Sequence, residues 1–108
     1  MTANDSTEAD AKVRTVIRAN AEADQVLWNV FSTFAYTTRT GLSGITTTYQ
    51  LRDRYGVGYV YDTFVMADGA GNVRTIGFQY QGGTDRPVFK DGQVDWYAML
   101  DSITTNGN

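Results

Sequence analysis

The chain has 108 residues with a formal net charge of −3, and 42% of its residues are hydrophobic. A chain of this length forms one domain around a single core, so we predict one α+β domain over residues 1–108, with flexible tails at 1–5 and 104–108. The acidic balance argues against nucleic acid or an anionic membrane as a partner, because both select basic surfaces.

The chain contains neither cysteine nor histidine. Disulfides and thiolate chemistry are therefore excluded, and so are the histidine-based sites of most hydrolases and metalloenzymes. We expect no metal site and no cofactor. The sequence has no apolar run of the roughly 20 residues needed to cross a membrane, and it starts with a polar, acidic stretch unlike a secretory signal, so we expect a cytoplasmic protein.

The first 36 residues have a helical pattern. Asp5, with Glu8 three residues later, is typical of a capping box, so a helix is predicted to begin near Ser6. Apolar residues keep helical spacing as far as Tyr36. A single helix over this range would be about 45 Å long, more than a compact domain of this size allows. We therefore expect a break near Asn20, or a helix whose first half packs on another subunit.

Three long antiparallel strands are predicted between Ile45 and Gln81, with Tyr59–Ala67 in the centre. A first turn centred on Tyr55 pairs Ile45 with Val65, Tyr49 with Tyr61 and Leu51 with Tyr59. A four-residue second turn would pair Val65 with Ile76, Thr63 with Phe78 and Tyr61 with Tyr80. This register collects the tyrosines on one apolar face, which we expect the helices to cover, whereas a one-residue slip would divide them between two faces.

The C-terminal part is predicted to contain one more strand and one more helix. Pro87–Lys90 fits a short edge strand, because proline is tolerated at sheet edges. Asp91-Gly92 is typical of a turn, and Asp95 could cap a short helix. The apolar side of that helix comprises Trp96, Met99, Leu100 and Ile103. The predicted fold is thus an N-terminal helical region, a meander of three long strands plus a short fourth, and a C-terminal helix.

The second sheet face in this register is mixed in character. Its apolar members need a cover that the helices on the first face cannot supply, so we predict that it packs on a second subunit, a protein partner or a small apolar ligand. A homo-oligomer is the expected state. The predicted binding residues are Val60, Asp62, Phe64, Met66, Arg52 and Gln79.

Asp62 lies in the middle of the central strand. In a dry site its pKa would rise, and it could then act as a general acid or base or as a neutral hydrogen-bond donor. The alternative is that Thr48 and Gln79 hydrogen-bond to it on a polar face. Enzymatic activity is therefore uncertain and less expected than binding.

Two short motifs have simpler explanations than ligand binding. The glycine-rich stretches at 56–58 and 69–71 lie between strands, whereas a phosphate loop precedes a helix, so we interpret both as turns. Arg52, Asp53 and Arg54 form a charged hairpin tip that could bind a carboxylate or phosphate, although solvated charges are the commoner case.

Residues 60–81, VYDTFVMADGAGNVRTIGFQYQ, resemble the terminal hairpin of domains related to nuclear transport factor 2. The resemblance implies a cone-shaped fold and acid chemistry by a strand aspartate, which corresponds here to Asp62. It covers about a fifth of the chain. The leading functional prediction is a small, acidic, non-enzymatic interaction protein, and the alternative is an isomerase- or hydrolase-type enzyme that uses Asp62.

Overall fold

Two helices and four strands follow one another in the computed structural model, which describes residues 1–82 and 87–103. The elements are α1 (Ser6–Ala23), β1 (Leu27–Thr37), β2 (Ser43–Arg52), β3 (Gly58–Ala67), β4 (Val73–Gln81) and α2 (Pro87–Ser102). The strands form one antiparallel meander in the order β1-β2-β3-β4. The α+β class predicted from the sequence is confirmed.

Helix α1 begins as predicted. The Asp5 side chain accepts a hydrogen bond from the backbone N–H of Glu8 at 2.8 Å, which caps the first turn. The helix ends at Ala23, and Gln25 then adopts a left-handed conformation with φ of 59°. The expected break in the helical region is real, but it falls three residues beyond Asn20.

Residues 27–37 form a strand, so the prediction of a second helical stretch up to Tyr36 is wrong. The sequence LWNVFSTFAYT is rich in aromatic and β-branched residues, which favour strands. A β-bulge between Val30 and Ser32 inserts one extra residue. Apolar residues lie on both faces of this strand: Leu27 and Val30 are on opposite faces, and Phe31 lies at the bulge. Their spacing of three and four residues therefore imitates a helix.

The predicted pairing of β2 with β3 is confirmed, including Tyr49 opposite Tyr61. The predicted pairing of β3 with β4 is wrong by one residue, because Ala67 pairs with Val73 and the turn has five residues. Asp68 holds this turn by accepting hydrogen bonds from the backbone N–H groups of Ala70 and Asn72. Gly71 closes it with φ of 83°, a conformation that glycine adopts without strain.

The corrected register changes which residues share a face. Val65 now lies opposite Thr75, whereas Ile76, Phe78 and Tyr80 lie opposite Phe64, Asp62 and Val60. Helix α1 packs on the Val65 face, and α2 packs on the Phe64 face. The expectation that the helices cover only the tyrosine-rich face is therefore wrong, because each face has its own helix.

Helix α2 starts at Pro87, so the predicted edge strand Pro87–Lys90 and the turn at Asp91-Gly92 are wrong. Proline suits the first turn of a helix, where its missing N–H has no partner to lose. The predicted apolar side is confirmed, since Trp96 and Leu100 are fully buried and Met99 and Ile103 pack beside them.

The N-terminal residues, which the sequence analysis predicted to be a flexible tail, pair with the β3–β4 turn. The backbone N–H of Ala3 donates to the carbonyl of Gly71 at 2.9 Å, and that of Val73 donates to the carbonyl of Met1 at 3.1 Å. This segment covers the beginning of the β4 edge. The predicted tail at 104–108 lies outside the described residues.

Candidate functional site

The face that the sequence analysis assigned to an external partner lies beneath α2 of the same chain. Val60, Asp62 and Phe64 are at most 3% exposed. Phe64 packs with Trp96 and Leu100, and Met66 lies at the margin of this cluster. The structure thus brings these four predicted residues together, but it uses them as core.

The other two predicted binding residues lie elsewhere. Arg52 is the last residue of β2, where it pairs with Gly58 at the hairpin end. Gln79 lies opposite Tyr61, on the face that α1 covers. The six residues do not form one surface.

Asp62 is fully buried in a hydrogen-bonded cluster between the sheet and α2. Its Oδ1 accepts from the Thr48 hydroxyl at 2.5 Å, and its Oδ2 accepts from Nε2 of Gln93 at 2.8 Å. The same Nε2 donates to the Tyr80 hydroxyl at 2.7 Å. Thr48 is thus a partner of Asp62, as expected, but Gln93 takes the place predicted for Gln79.

Burial raises the pKa of Asp62 above its usual value, although the hydrogen bonds from Thr48, Gln93 and Tyr80 oppose that shift. Burial also raises the pKa of Tyr80 well above its usual value. Burial thus favours the neutral forms of both groups. A substrate, however, could reach the carboxyl only if α2 moved away, and Asp62 lines none of the four cavities described for the chain.

The outer edge of β1 is a different kind of surface. Within residues 1–82 and 87–103, β1 pairs only with β2, so one side of its backbone is open. Leu27, Phe31 and Phe34 on this strand are 71%, 49% and 45% exposed. We call the open side of Leu27–Thr37, with these three side chains, the β1 edge surface.

The β1 edge surface also borders α2. The rings of Phe31 and Phe89 meet edge to face with centroids 5.4 Å apart. Farther along, Phe34 stacks on Tyr97 at 6.4 Å, and the Tyr36 hydroxyl donates to Asp101 at 2.8 Å. These contacts hold the exposed aromatic side chains in place, so the surface is preformed.

A cavity of about 490 Å³ lies on the other side of β1, between α1 and the first two strands. We call it the α1 cavity. From the helix it is lined by Asp10, Arg14 and Arg18, and from the sheet by Trp28, Phe34 and Ile45. Arg14 donates to Asp10 Oδ2 at 2.9 Å.

Polar atoms without good hydrogen bonds lie near this ion pair. Within the described ranges, Nε of Arg14 and the hydroxyls of Tyr49 and Thr63 are buried and make no hydrogen bond of good geometry, although Arg14 and Thr63 both lie close enough to Tyr49 to lower its pKa. Burial raises the pKa of Asp10 despite the attraction of Arg14, and it raises the pKa of Tyr49 as well. The interior beneath α1 is therefore polar and incompletely satisfied, which is rare in protein cores.

The sequence analysis did not identify either the β1 edge surface or the α1 cavity. The absence of charge between Leu27 and Thr37 was a usable signal for an uncharged edge strand, but the helical assignment concealed it. Arg14 and Arg18 are spaced four residues apart on α1, which placed them on one helix face. Nothing in the sequence showed that this face would lie above Trp28.

The predicted turns are confirmed at both glycine-rich stretches. Gly56 and Gly71 have φ of 84° and 83° and lie in the β2–β3 and β3–β4 connections. At the first tip Asp53 accepts hydrogen bonds from the N–H groups of Tyr55 and Val57, and Arg54 lies over the Tyr55 ring. The charged tip is thus occupied by its own turn contacts.

No protein-family model, curated protein or solved structure shows significant similarity to this chain. The hairpin that resembles nuclear transport factor 2 domains is present as β3 and β4, but it is one part of a meander with a helix on each face. Neither α1 nor α2 is long and apolar enough to cross a membrane, in the part of the chain that the structure describes.

Proposed function

We propose that this chain is a non-enzymatic interaction protein that self-associates through the β1 edge surface. The observation that carries the proposal is an eleven-residue edge strand with no charged residue and three exposed apolar side chains. Soluble proteins usually protect such edges with lysine, proline or a covering segment. Among the residues that the structure describes, the β1 edge is interrupted by a bulge but is not paired with another segment.

The charge distribution supports a second copy as the partner. The chain is acidic overall, so two copies repel each other at long range. The other three strands each carry a charged residue, namely Arg52, Asp62 and Arg74. Because β1 has none, two copies can meet there without burying like charges, and the apolar area that becomes covered favours contact.

The geometry favours an antiparallel pair of β1 strands. A two-fold axis near the middle of β1 would join two four-stranded sheets into one of eight, with each strand's open N–H and C=O groups paired. The strand is about 36 Å long at about 3.3 Å per residue. Because an edge contact buries less area than a standard interface, we expect a weak dimer with a Kd on the order of 50 µM.

The enzyme alternative has less support. It depends on Asp62, whose side chain is 0% exposed and whose two oxygens already accept hydrogen bonds. The same contacts are those of a satisfied structural carboxyl beneath a helix. Interaction through β1 requires no rearrangement of this cluster.

The test is sedimentation velocity across a concentration series from about 10 to 500 µM, which brackets the expected Kd. The wild-type chain should shift from monomer to dimer, and Phe31→Lys should remain monomeric because it places a charge in the interface. Val57→Lys is the matched control, since Val57 is 43% exposed but lies in the β2–β3 turn.

Two results would overturn the proposal. One is a wild-type chain that stays monomeric at the highest concentration. The other is a dimer that Phe31→Lys and Val57→Lys weaken equally, because association would then lie outside the β1 edge surface. Circular dichroism of both variants shows whether they remain folded.

A further inference from the structure

We propose that the α1 cavity binds a small amphipathic monoanion, a carboxylate carried on a short aliphatic or aromatic body. This inference does not require the self-association proposed above, although Phe34 belongs to both the cavity and the β1 edge surface. The cavity volume of about 490 Å³ lies within the range of about 300–1,000 Å³ typical of small-molecule sites.

The charges that line the cavity favour an anion. Two arginines and one aspartate contribute, which leaves one net positive charge in a chain whose net charge is −3. Asp10 engages Arg14 through Nη2 at 2.9 Å, and the Thr33 and Thr47 hydroxyls lie 3.4 Å from the same nitrogen. Nε of Arg14 is buried and makes no hydrogen bond of good geometry among residues 1–82 and 87–103.

Arg18 is the more available of the two cations. Its side chain is 61% exposed, and its Nε lies 3.7 Å from a carboxylate oxygen of Glu22, which is itself largely exposed. A pair at that distance and exposure contributes little free energy, so the guanidinium can turn toward a ligand. Arginine suits a carboxylate because two of its N–H groups can donate in parallel.

The wall of the cavity opposite the arginines is apolar, so it favours an apolar group on the ligand. Trp28, Phe34 and Ile45 present aromatic and aliphatic surface to the cavity. The Trp28 ring contacts that of Tyr49, with centroids 6.2 Å apart. A ligand with a carboxylate at Arg18 and an apolar tail on Trp28 would satisfy both walls, whereas the neighbouring Asp10 carboxyl disfavours a dianion.

The experiment is a titration of the isotope-labelled full chain with hexanoate, followed by ¹⁵N–¹H NMR. The reporter is the Trp28 indole N–H, identified by its loss in Trp28→Phe. We expect progressive shifts of that resonance with a Kd on the order of 1 mM, which suits so small a ligand. Hexanol, which has the same chain but no charge, should shift it several-fold less.

Arg18→Gln removes the proposed anion contact and should weaken hexanoate binding about fivefold or more. Arg54→Gln is the matched control, because Arg54 loses the same charge at the β2–β3 tip, where it lies over Tyr55. The affinity of Arg54→Gln for hexanoate should equal that of the wild type. Repeating the titration on Phe31→Lys keeps the result separate from self-association, since Phe31 does not line the cavity.

The inference is overturned if hexanoate leaves the Trp28 indole resonance unmoved. It is equally overturned if hexanol binds as well as hexanoate, or if Arg18→Gln and Arg54→Gln have the same affinity. Because Phe34 belongs to both surfaces, each result is read from the Phe31→Lys variant as well as from the wild type, so that dimerisation does not decide the outcome.

Discussion

Gly92 gives the most discriminating test of how α2 lies on the sheet. It is inside the helix, where replacing glycine with alanine ordinarily stabilises a protein by about 1 kcal/mol. Here, however, a Cβ at position 92 would lie 2.6 Å from both Cε2 and Cζ of Tyr80. Carbon atoms in contact prefer about 3.5–4.0 Å, so the ring or the helix must move.

The two effects oppose each other, and their sizes decide the sign. Overpacking a tight contact costs about 1–3 kcal/mol. Displacing Tyr80 also disturbs its 2.7 Å hydrogen bond from Gln93, which adds about 1 kcal/mol. Against a helix gain of about 1 kcal/mol, Gly92→Ala should lower the free energy of unfolding by about 1–3 kcal/mol. The midpoint of thermal unfolding should fall by about 5–15 °C.

The assay is urea denaturation followed by circular dichroism. Ala98→Gly, on the exposed side of α2, is the control and should cost about 1 kcal/mol as in any exposed helix. In a Tyr80→Leu background the ring is gone, so Gly92→Ala should become neutral or stabilising. If Gly92→Ala stabilises the wild-type chain, α2 does not rest on Tyr80 and the reasoning is refuted.

Three further substitutions test the core and the pH dependence. Leu100→Ala should cost about 2–5 kcal/mol in urea denaturation, because Leu100 is fully buried against the sheet. Because the pKa of Asp62 is raised in the folded state, the free energy of unfolding of the wild type falls as the pH rises from about 4 through that pKa. Asp62→Asn lacks this dependence, so its free energy of unfolding should increase relative to that of the wild type over this range. The effect of Asp68 is opposite, because backbone N–H groups, chiefly that of Asn72, lower its pKa. Asp68→Ala should therefore be destabilising at neutral pH, and the loss of stability should become progressively smaller below about pH 3.8.

Each of these has a contradicting outcome. A Leu100→Ala variant as stable as the wild type would place α2 off the sheet. If the free energies of unfolding of Asp62→Asn and the wild type differ by a constant amount from pH 4 to 7, the Asp62 carboxyl titrates normally. The titration of Asp10 does not affect this comparison, because Asp10 is present in both proteins. For Asp68→Ala, an unchanged deficit at pH 3 would show that the ionised carboxylate does not hold the turn.

The parts of the fold that could be predicted are those governed by local pattern. The capping box at Asp5 and the alternation from Ile45 to Arg52 correctly placed the start of α1 and the pairing of β2 with β3. The failures occur where the spacing of residues is ambiguous or where one extra residue shifts the register. Apolar residues on both faces of β1 gave a strand the spacing of a helix, and the five-residue turn held by Asp68 shifted β4 by one position.

The candidate sites could not be predicted for a related reason. In the observed register of β4, Tyr80 lies on the same face of the sheet as Asp62. Gln93 belongs to a helical turn, where the sequence Asp91-Gly92 predicted a break in the helix. Asp62 and Gln93 are 31 residues apart in the sequence, and rules based on local sequence patterns do not predict contacts over such separations. The β1 edge surface and the α1 cavity likewise appear only once β1 is recognised as a strand.

Three consecutive threonines in β2 have a consequence for the order of folding. Thr46 accepts a hydrogen bond from the Trp96 indole, Thr47 lies 3.5 Å from an oxygen of Asp10, and Thr48 donates to Asp62. The contact with Trp96 spans 50 residues, so closing it is slow compared with forming the hairpins. Helix α2 should therefore dock after the hairpins have formed, and until it does, Phe64 and the uncharged β1 strand are exposed together. In that interval the nascent protein is most prone to aggregate.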